Sequence, residues 1–139
     1  MDWLTRILSL SIKLWLNLSP SLPLGVYRAV DGPPTRGSIV VVCLPEQIGR
    51  FARDRGYLGY GPCPGQVERL GKRVAAIAGD TVEVTAARVV VNGFAIPGSG
   101  RLVCDSRGRW LPGTEGRVVL RPGELFLLAT DNRRSFDSR

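Results

Sequence analysis

Lysine is rare in this chain, and one lysine lies where it can do chemistry. Only Lys13 and Lys72 are lysines among 19 basic residues, and the chain has no histidine. Arginine keeps its proton in proteins, whereas a buried lysine can lose it and act as a base. Lys72 lies in the apolar, β-rich stretch 69–80, RLGKRVAAIAGD, where burial should lower the pKa of the amine. We therefore expect Lys72 to be the general base of a site that lacks imidazole.

A serine in a rigid turn is the matching nucleophile. Ser21 lies in the stretch 17–25, NLSPSLPLG, in which two prolines and a glycine restrict the backbone. Such a turn would present the Ser21 hydroxyl while holding its main chain still. A Ser-Pro cluster alone is common in loops, so the hypothesis depends on the combination with Lys72.

The third informative segment is the polar run 128–139, LATDNRRSFDSR. By composition it is a surface loop, and Asp137 with Arg139 could form an ordinary ion pair of small energetic value.

The order of these three segments resembles the type I signal peptidases. The resemblance is strongest to their conjugative-transfer (TraF-like) branch, with the motif Asn-x-Ser/Thr-x-Ser-x-Pro-x-Gly-x-Tyr before an extended strand. It extends from residue 17 to residue 139. The matching positions are Asn17, Ser19, Ser21, Pro23, Gly25 and Tyr27.

The resemblance implies a role for each matched residue. Ser21 would be the nucleophile and Lys72 the general base. The backbone N–H of Ser21 and the hydroxyl of Ser19 would form the oxyanion hole. In the C-terminal segment, Ser135 would orient the Lys72 amine, and Asp137 and Arg139 would pair as structural support. Asp80 is expected to form a turn and take no part in the chemistry.

Two departures from the family pattern are visible. Thr130 precedes Asp131 where signal peptidases usually have glycine. The family also continues beyond the Ser-Arg dipeptide with further strands, whereas this sequence ends at Arg139. We therefore expect a C-terminally shortened version of the peptidase domain, and a catalytically inactive relative is one alternative.

The elements needed to position these residues are mostly strands. The fold class predicted is mostly β: coiled antiparallel sheets, signal-peptidase-like, with one short helix. Pro45 and the apolar spacing after it predict a helix from about Glu46 to Arg55. Asn92-Gly93 predicts a type I′ hairpin. Further strands are predicted over 38–44, 74–77, 81–84, 118–120 and 125–128, with a loop at 57–65 and a long irregular excursion at 98–116.

The first eighteen residues are apolar, interrupted by Arg6 and Lys13. As a helix, sixteen residues of this segment would span only about 24 Å, short of the roughly 30 Å hydrocarbon core. We predict a short membrane anchor or interfacial helix over 1–18, followed by the Ser/Lys peptidase domain over 19–139. An amphipathic helix packed on the domain is the simpler alternative.

Composition narrows the remaining choices. A net charge of +7 is spread along the chain without a basic stripe, so nucleic acid is not an expected partner, whereas an anionic lipid surface is. Three cysteines without histidine make a zinc site improbable, and no metal or cofactor is expected. Cys43 is predicted to be a buried thiol, while Cys63 and Cys104 form either a disulfide or two free thiols.

The function predicted is a serine endopeptidase that cleaves exported precursor proteins. The resemblance implies a signal peptide or a conjugative pilin precursor as substrate. It also implies that the protein is located at the inner (cytoplasmic) membrane, with the catalytic domain facing the periplasm or cell exterior. Hydrolysis and head-to-tail cyclisation of the product both remain open. Besides the inactive relative, the rivals are a LexA-like self-cleaving domain and a basic β-barrel that binds nucleic acid.

Overall fold

The computed structural model describes residues 14–19, 21–113 and 115–129, and these form a mostly-β domain. They contain ten short strands and one helix, α1, at Glu46–Asp54. In chain order the strands are β1 Leu14–Asn17, β2 Gly25–Arg28, β3 Ile39–Val42, β4 Tyr60–Cys63, β5 Leu70–Ala76, β6 Thr81–Val84, β7 Val89–Val91, β8 Phe94–Ile96, β9 Gly116–Val119 and β10 Phe126–Leu128.

Nine of these strands form three antiparallel sheets, and β4 stays outside them. β1 and β2 make a hairpin, β5 lies between β10 and β3, and the third sheet has the order β8-β7-β6-β9. β5 is the middle strand of the three-stranded sheet. Along its seven residues, buried positions alternate with more exposed ones, as expected of a strand with one face against the core. One apolar cluster lies between this sheet, α1 and β4, and a second lies between β10 and the four-stranded sheet.

The elements predicted from pattern are largely confirmed. The helix begins at Glu46 as expected and ends at Asp54, one residue earlier than predicted. Asn92 and Gly93 both have positive φ, 50° and 83°, as a type I′ turn between β7 and β8 requires. The excursion over 98–116 is mostly irregular, with one isolated bridge between Cys104 and Trp110.

Two segments differ from the sequence-based predictions. Leu14–Asn17, which we expected to end a helix, form the strand β1 because they pair in register with β2. The rest of the predicted anchor, residues 1–13, lies outside the described residues. The predicted 57–65 loop contains the strand β4, because its chain folds back so that Tyr60 and Cys63 both bridge to Val67. Within the described part of the chain, no helix is long and apolar enough to cross a membrane.

The cysteine prediction is wrong. Cys43 and Cys63 form a disulfide, with α-carbons 5.4 Å apart, and Cys104 is a free, exposed thiol. The apolar run suggested that Cys43 lies inside a strand, but β3 ends at Val42, so the next side chain can turn toward β4. Cys104 lies instead on the excursion, where it bridges to Trp110.

Candidate active site

The turn between β1 and β2 carries Ser21 and is organised by one buried side chain, Asn17. The Asn17 amide nitrogen donates to the carbonyl oxygens of Ser19, Leu22 and Pro23 at 3.0, 3.1 and 3.2 Å. Its carbonyl oxygen accepts from the Ser19 N–H at 3.0 Å. Asn17 is only 2% exposed, so these bonds are shielded from water and fix the path of the turn.

A second contact closes the same turn from the β2 side. The Tyr27 hydroxyl donates to the Pro23 carbonyl oxygen at 2.5 Å. Residues of the sequence motif therefore act together: asparagine and tyrosine hold the backbone on either side of Ser21. The sequence showed that these residues match the family motif but gave no reason for the asparagine.

Ser19 and Ser21 lie against each other at the top of the turn. The Ser19 hydroxyl donates to Ser21 Oγ at 3.3 Å, and the Ser21 N–H donates to Ser19 Oγ at the same distance. Ser21 itself is buried. The two donors assigned to an oxyanion hole, the Ser21 N–H and the Ser19 hydroxyl, thus lie within hydrogen-bonding distance of each other.

Lys72 lies in the middle of β5, opposite Val40 of β3. It is 3% exposed, and it shares the buried face of β5 with Leu70 and Val74. This buried position among apolar side chains is the environment that the sequence predicted for the Lys72 amine. Its burial and its position in the middle of β5 are inconsistent with an ordinary surface lysine at a strand end.

The hairpin of β1 and β2 is held beside Lys72 through Gly71. A β-carbon at position 71 would overlap the indole of Trp15, so the β1 side chain occupies space that any other residue would fill. Trp15 in turn stacks at a tilt on Tyr27, with ring centroids 5.6 Å apart. The residue next to the candidate base is therefore also the docking point of the strand that precedes the candidate nucleophile.

Ser19, Ser21 and Lys72 line the same open cavity, whose volume is about 650 Å³. β4 forms part of its wall through Tyr60, Gly61 and Pro62, and the disulfide at Cys63 ties this strand to the end of β3. The remaining wall includes Tyr57 and two charged residues that are neighbours in sequence, Glu68 and Arg69. The sequence placed β4 in a loop and gave no signal for these wall residues.

Two carboxylates hold turns and loops of the domain in place, and the first of them contacts the cavity wall. Asp105 accepts from the Tyr57 hydroxyl at 2.6 Å, and from the Arg109 side chain and backbone. The Tyr57 hydrogen bond, followed by those of Arg109, holds the pKa of Asp105 well below its usual range. A ring on the cavity wall is thereby attached to the long excursion over 98–116.

The second carboxylate, Asp80, is buried in the turn between β5 and β6. It pairs with Arg36 and accepts from the Ile77 N–H and from Asn92 Nδ2, each at 2.9 Å. The Arg36 hydrogen bond, followed by that of Ile77, holds the pKa of Asp80 well below its usual range. These contacts fit the prediction that Asp80 forms a turn, and it is not among the residues lining the cavity.

Three residues predicted for the site, Ser135, Asp137 and Arg139, lie outside the described residues, as do Thr130 and Asp131. Their proposed roles toward Lys72 therefore stay predictions.

Comparison with known proteins identifies the family of this arrangement. Residues 6–139 match the family model described as signal peptidase, peptidase S26. The chain is 38% identical over 127 residues to the plasmid transfer protein TraF of Escherichia coli, covering 89% of this chain and 71% of that protein. It is 40% identical over 127 residues to the probable conjugal transfer protein TraF of Sinorhizobium fredii, covering 89% of this chain and 66% of the relative.

A third relative, the conjugal transfer protein TraF of Agrobacterium tumefaciens, is 40% identical over 127 residues, covering 89% of this chain and 70% of the relative. The chain thus spans roughly two thirds of the length of these relatives. No solved structure matches the chain. The family match over nearly the whole sequence and the identity to the TraF proteins lead to one conclusion: the chain belongs to the peptidase S26 family of signal peptidases, on its TraF-like branch.

Proposed function

We propose that this protein is a serine endopeptidase in which Ser21 is the nucleophile and Lys72 the general base. The observation that carries the proposal is the convergence of three side chains from two distant segments on one cavity. Ser19, Ser21 and Lys72 all line it, and Ser21 and Lys72 are both buried. In a chain without histidine, a buried amine is the group best suited to take the serine proton.

The reaction would proceed through an acyl-enzyme. Ser21 Oγ attacks the scissile carbonyl carbon as its proton passes to the Lys72 amine, and the leaving peptide amine takes that proton as the peptide bond breaks. The developing oxyanion would be stabilised by the Ser21 N–H and the Ser19 hydroxyl. Water, activated by Lys72, then releases the acyl group, or a substrate amine replaces water and gives a cyclic product.

The substrate would be a precursor protein that binds in an extended conformation. β4 supports this because its residues 60–62 line the cavity, and an extended peptide can add to strand backbone groups. The names of the TraF relatives support a role in conjugative transfer. A pilin precursor is the substrate that the resemblance to the conjugative branch implies.

The proposed location is the surface of the inner membrane, with the domain on its outer face. Several aliphatic side chains of the β1–β2 hairpin and its turn are more than half exposed: Leu14, Leu16, Leu18, Leu24 and Val26. Such an exposed apolar group suits contact with lipid. The disulfide between Cys43 and Cys63 also suits an oxidising compartment.

The test is cleavage of a precursor-peptide pool in detergent or lipid, read by mass spectrometry. We expect Ser21→Ala and Lys72→Ala each to lower kcat/KM by more than about a thousandfold, since removal of the nucleophile or base of a serine protease can cost about a millionfold. A product that is one water lighter than the linear fragment expected from hydrolysis would identify cyclisation.

Matched controls separate this loss from general damage. Ser106→Ala removes an exposed hydroxyl from the excursion, and Arg73→Gln removes an exposed charge next to Lys72 on β5. Both should keep wild-type activity. Equal background cleavage by wild type, Ser21→Ala and Lys72→Ala would overturn the proposal in favour of an inactive or binding role.

A further inference from the structure

The cavity contains a cation that the proposed chemistry does not use. Arg69 directly precedes β5 and lines the cavity together with Lys72. Its Nε is buried and has no hydrogen-bond partner among the described residues. Among the described residues, no carboxylate forms an ion pair with its guanidinium.

The neighbouring carboxylate does not neutralise Arg69. Glu68 also lines the cavity, but its Oε1 accepts from the Gly59 N–H at 3.0 Å. Other arginines of the described residues do meet carboxylates, for example Arg36 with Asp80 and Arg109 with Asp105. Arg69 thus differs from them in combining a partly buried guanidinium with the absence of an acidic partner in the described chain.

The second arginine with unpartnered buried nitrogens makes a useful comparison. Arg101 has Nε and Nη1 without partners, but its Nη2 binds Glu115 at 3.0 Å, and it is not among the residues lining the catalytic cavity. Its charge is therefore compensated within the protein. No carboxylate of the described residues compensates the charge of Arg69, which lines a cavity open to a ligand.

A ligand carboxylate in the cavity would compensate the charge of the guanidinium, for which the described residues supply no acidic partner. The guanidinium is permanently charged and forms paired hydrogen bonds to a carboxylate in a fixed fork geometry. A backbone carbonyl would satisfy one N–H and leave the charge uncompensated.

We propose that Arg69 forms an acidic subsite, which binds a carboxylate of the substrate close to the bond that is cleaved. The inference rests on the proposed peptidase function and adds to it a preference for Asp or Glu near the scissile bond. A carboxylate could come from such a side chain or from the free C-terminus of a short peptide. The two sources share the same chemistry, and the experiment separates them.

The test measures binding without catalysis. Full-length Ser21→Ala protein is titrated with N-acetylated, C-amidated alanine-rich decapeptides, each with a single glutamate at a different position and each matched by a glutamine peptide. At one position we expect the glutamate peptide to bind about tenfold tighter, as for one charge-assisted hydrogen-bonded contact. A third series with a free C-terminus and no glutamate reports on the terminal carboxylate.

Substitution of the arginine assigns the effect. In Ser21→Ala with Arg69→Gln the glutamate preference should disappear while the glutamine peptides bind as before. With Arg69→Lys, which keeps the charge but loses the fork, a reduced preference should remain. Ser21→Ala with Arg73→Gln is the matched control, because Arg73 lies on the adjoining strand β5 and is exposed. The glutamate preference of this variant should equal that of the parent.

The outcomes separate this inference from the peptidase proposal. Equal binding of glutamate and glutamine peptides at every position, or a preference that survives Arg69→Gln, overturns the acidic subsite even when the enzyme cleaves peptides. Absence of cleavage by the wild type overturns the peptidase proposal, while the binding comparison still decides the role of Arg69. In an active enzyme, Arg69→Gln should raise KM for the glutamate substrate and leave kcat unchanged.

Discussion

Trp15 and Gly71 pack so closely that the indole occupies the volume of a side chain at position 71. The contact joins the strand before Ser21 to the strand that carries Lys72. The contact excludes any side chain at position 71, although Gly71 has no functional group of its own. The glycine is required here for its small size, because its φ is not in the left-handed region.

Gly71→Ala should therefore displace the β1–β2 hairpin from β5. We expect a loss of about 1–3 kcal/mol in the free energy of unfolding, the usual range for an overpacked site, and a loss of peptidase activity in the folded fraction. Denaturant unfolding with activity measured on the same samples checks both.

Gly59→Ala is the matched control, since a β-carbon there would meet only Glu68 at ordinary contact distance, 3.7 Å. A double variant with Trp15→Leu should recover part of the stability lost in Gly71→Ala. Wild-type activity in Gly71→Ala would show that the hairpin can dock without this contact.

Asn17 should act as a positioning residue for the nucleophile. Asn17→Asp keeps the acceptor for the Ser19 N–H but loses the donations to three carbonyl oxygens. We expect kcat to fall with little change in KM, and the free energy of unfolding to fall by about 1–3 kcal/mol because buried acceptors lose their donor.

Ser99→Ala is a suitable comparison for Asn17→Asp. Ser99 is equally buried and donates to the Ile96 carbonyl oxygen at 2.5 Å, but it is not among the residues lining the cavity that contains Ser21 and Lys72. It should lose stability while retaining kcat per folded molecule. If both variants lose kcat equally, the effect of Asn17 is general destabilisation.

The disulfide should stabilise the domain and the β4 wall together. Joint replacement of Cys43 and Cys63 by serine opens a loop of sequence separation 20. In the chain-entropy estimate it should cost about 3 kcal/mol of unfolding free energy. Peptide KM should rise, because β4 lines the cavity.

Cys104→Ser provides the control for the disulfide prediction, because Cys104 is free and exposed. It should leave the unfolding midpoint unchanged, and reductant should shift the midpoint of the wild type and of Cys104→Ser alike. A midpoint insensitive to reductant in the wild type would contradict the pairing of Cys43 with Cys63.

Asp80 should contribute to acid sensitivity. Its pKa is lowered in the folded protein, chiefly by the Arg36 hydrogen bond, so its stabilising effect is present above the ordinary carboxyl pKa of about 3.9 and is lost as pH falls below it. Asp105 and Glu124 are shifted in the same direction. The free energy of unfolding should therefore decrease as pH falls below about 4.

Asp80→Asn removes one of these three contributions. The variant should be less stable near neutral pH, and its stability should decrease less steeply in acid than that of the wild type. Arg36→Gln should reproduce part of both effects, since it removes the hydrogen bond that contributes most to the lowered pKa of Asp80. Parallel pH profiles for wild type and Asp80→Asn, measured by urea unfolding, would contradict this assignment.

The sequence predicted the fold class because its local signals agree with one another. Alternating apolar residues, Pro45 before the helix and Asn92-Gly93 in the hairpin are read directly from short stretches. It also identified Ser19, Ser21 and Lys72, which line one cavity. Their catalytic roles stay predictions, and those of Ser135, Asp137 and Arg139 concern positions outside the described residues.

What pattern could not predict depends on contacts between distant segments. The strand β1 follows from its pairing with β2, and β4 from its bridges to Val67, neither of which has a periodic signature over four residues. Cys43 pairs with Cys63 because β3 ends just before it. That Arg69 lines the cavity could likewise not be predicted, because the cavity is formed by segments that are distant in sequence.

The docking of Trp15 on Gly71 also bears on the order in which the molecule folds. Contacts between segments far apart in sequence carry a loop-closure cost and tend to form after local ones. The β1–β2 hairpin can form locally, whereas its contact with β5 requires the central sheet to be in place. Nascent chains would therefore keep Ser21 and Lys72, the proposed nucleophile and base, apart until the central sheet has formed, so that the proposed site would be assembled late in folding.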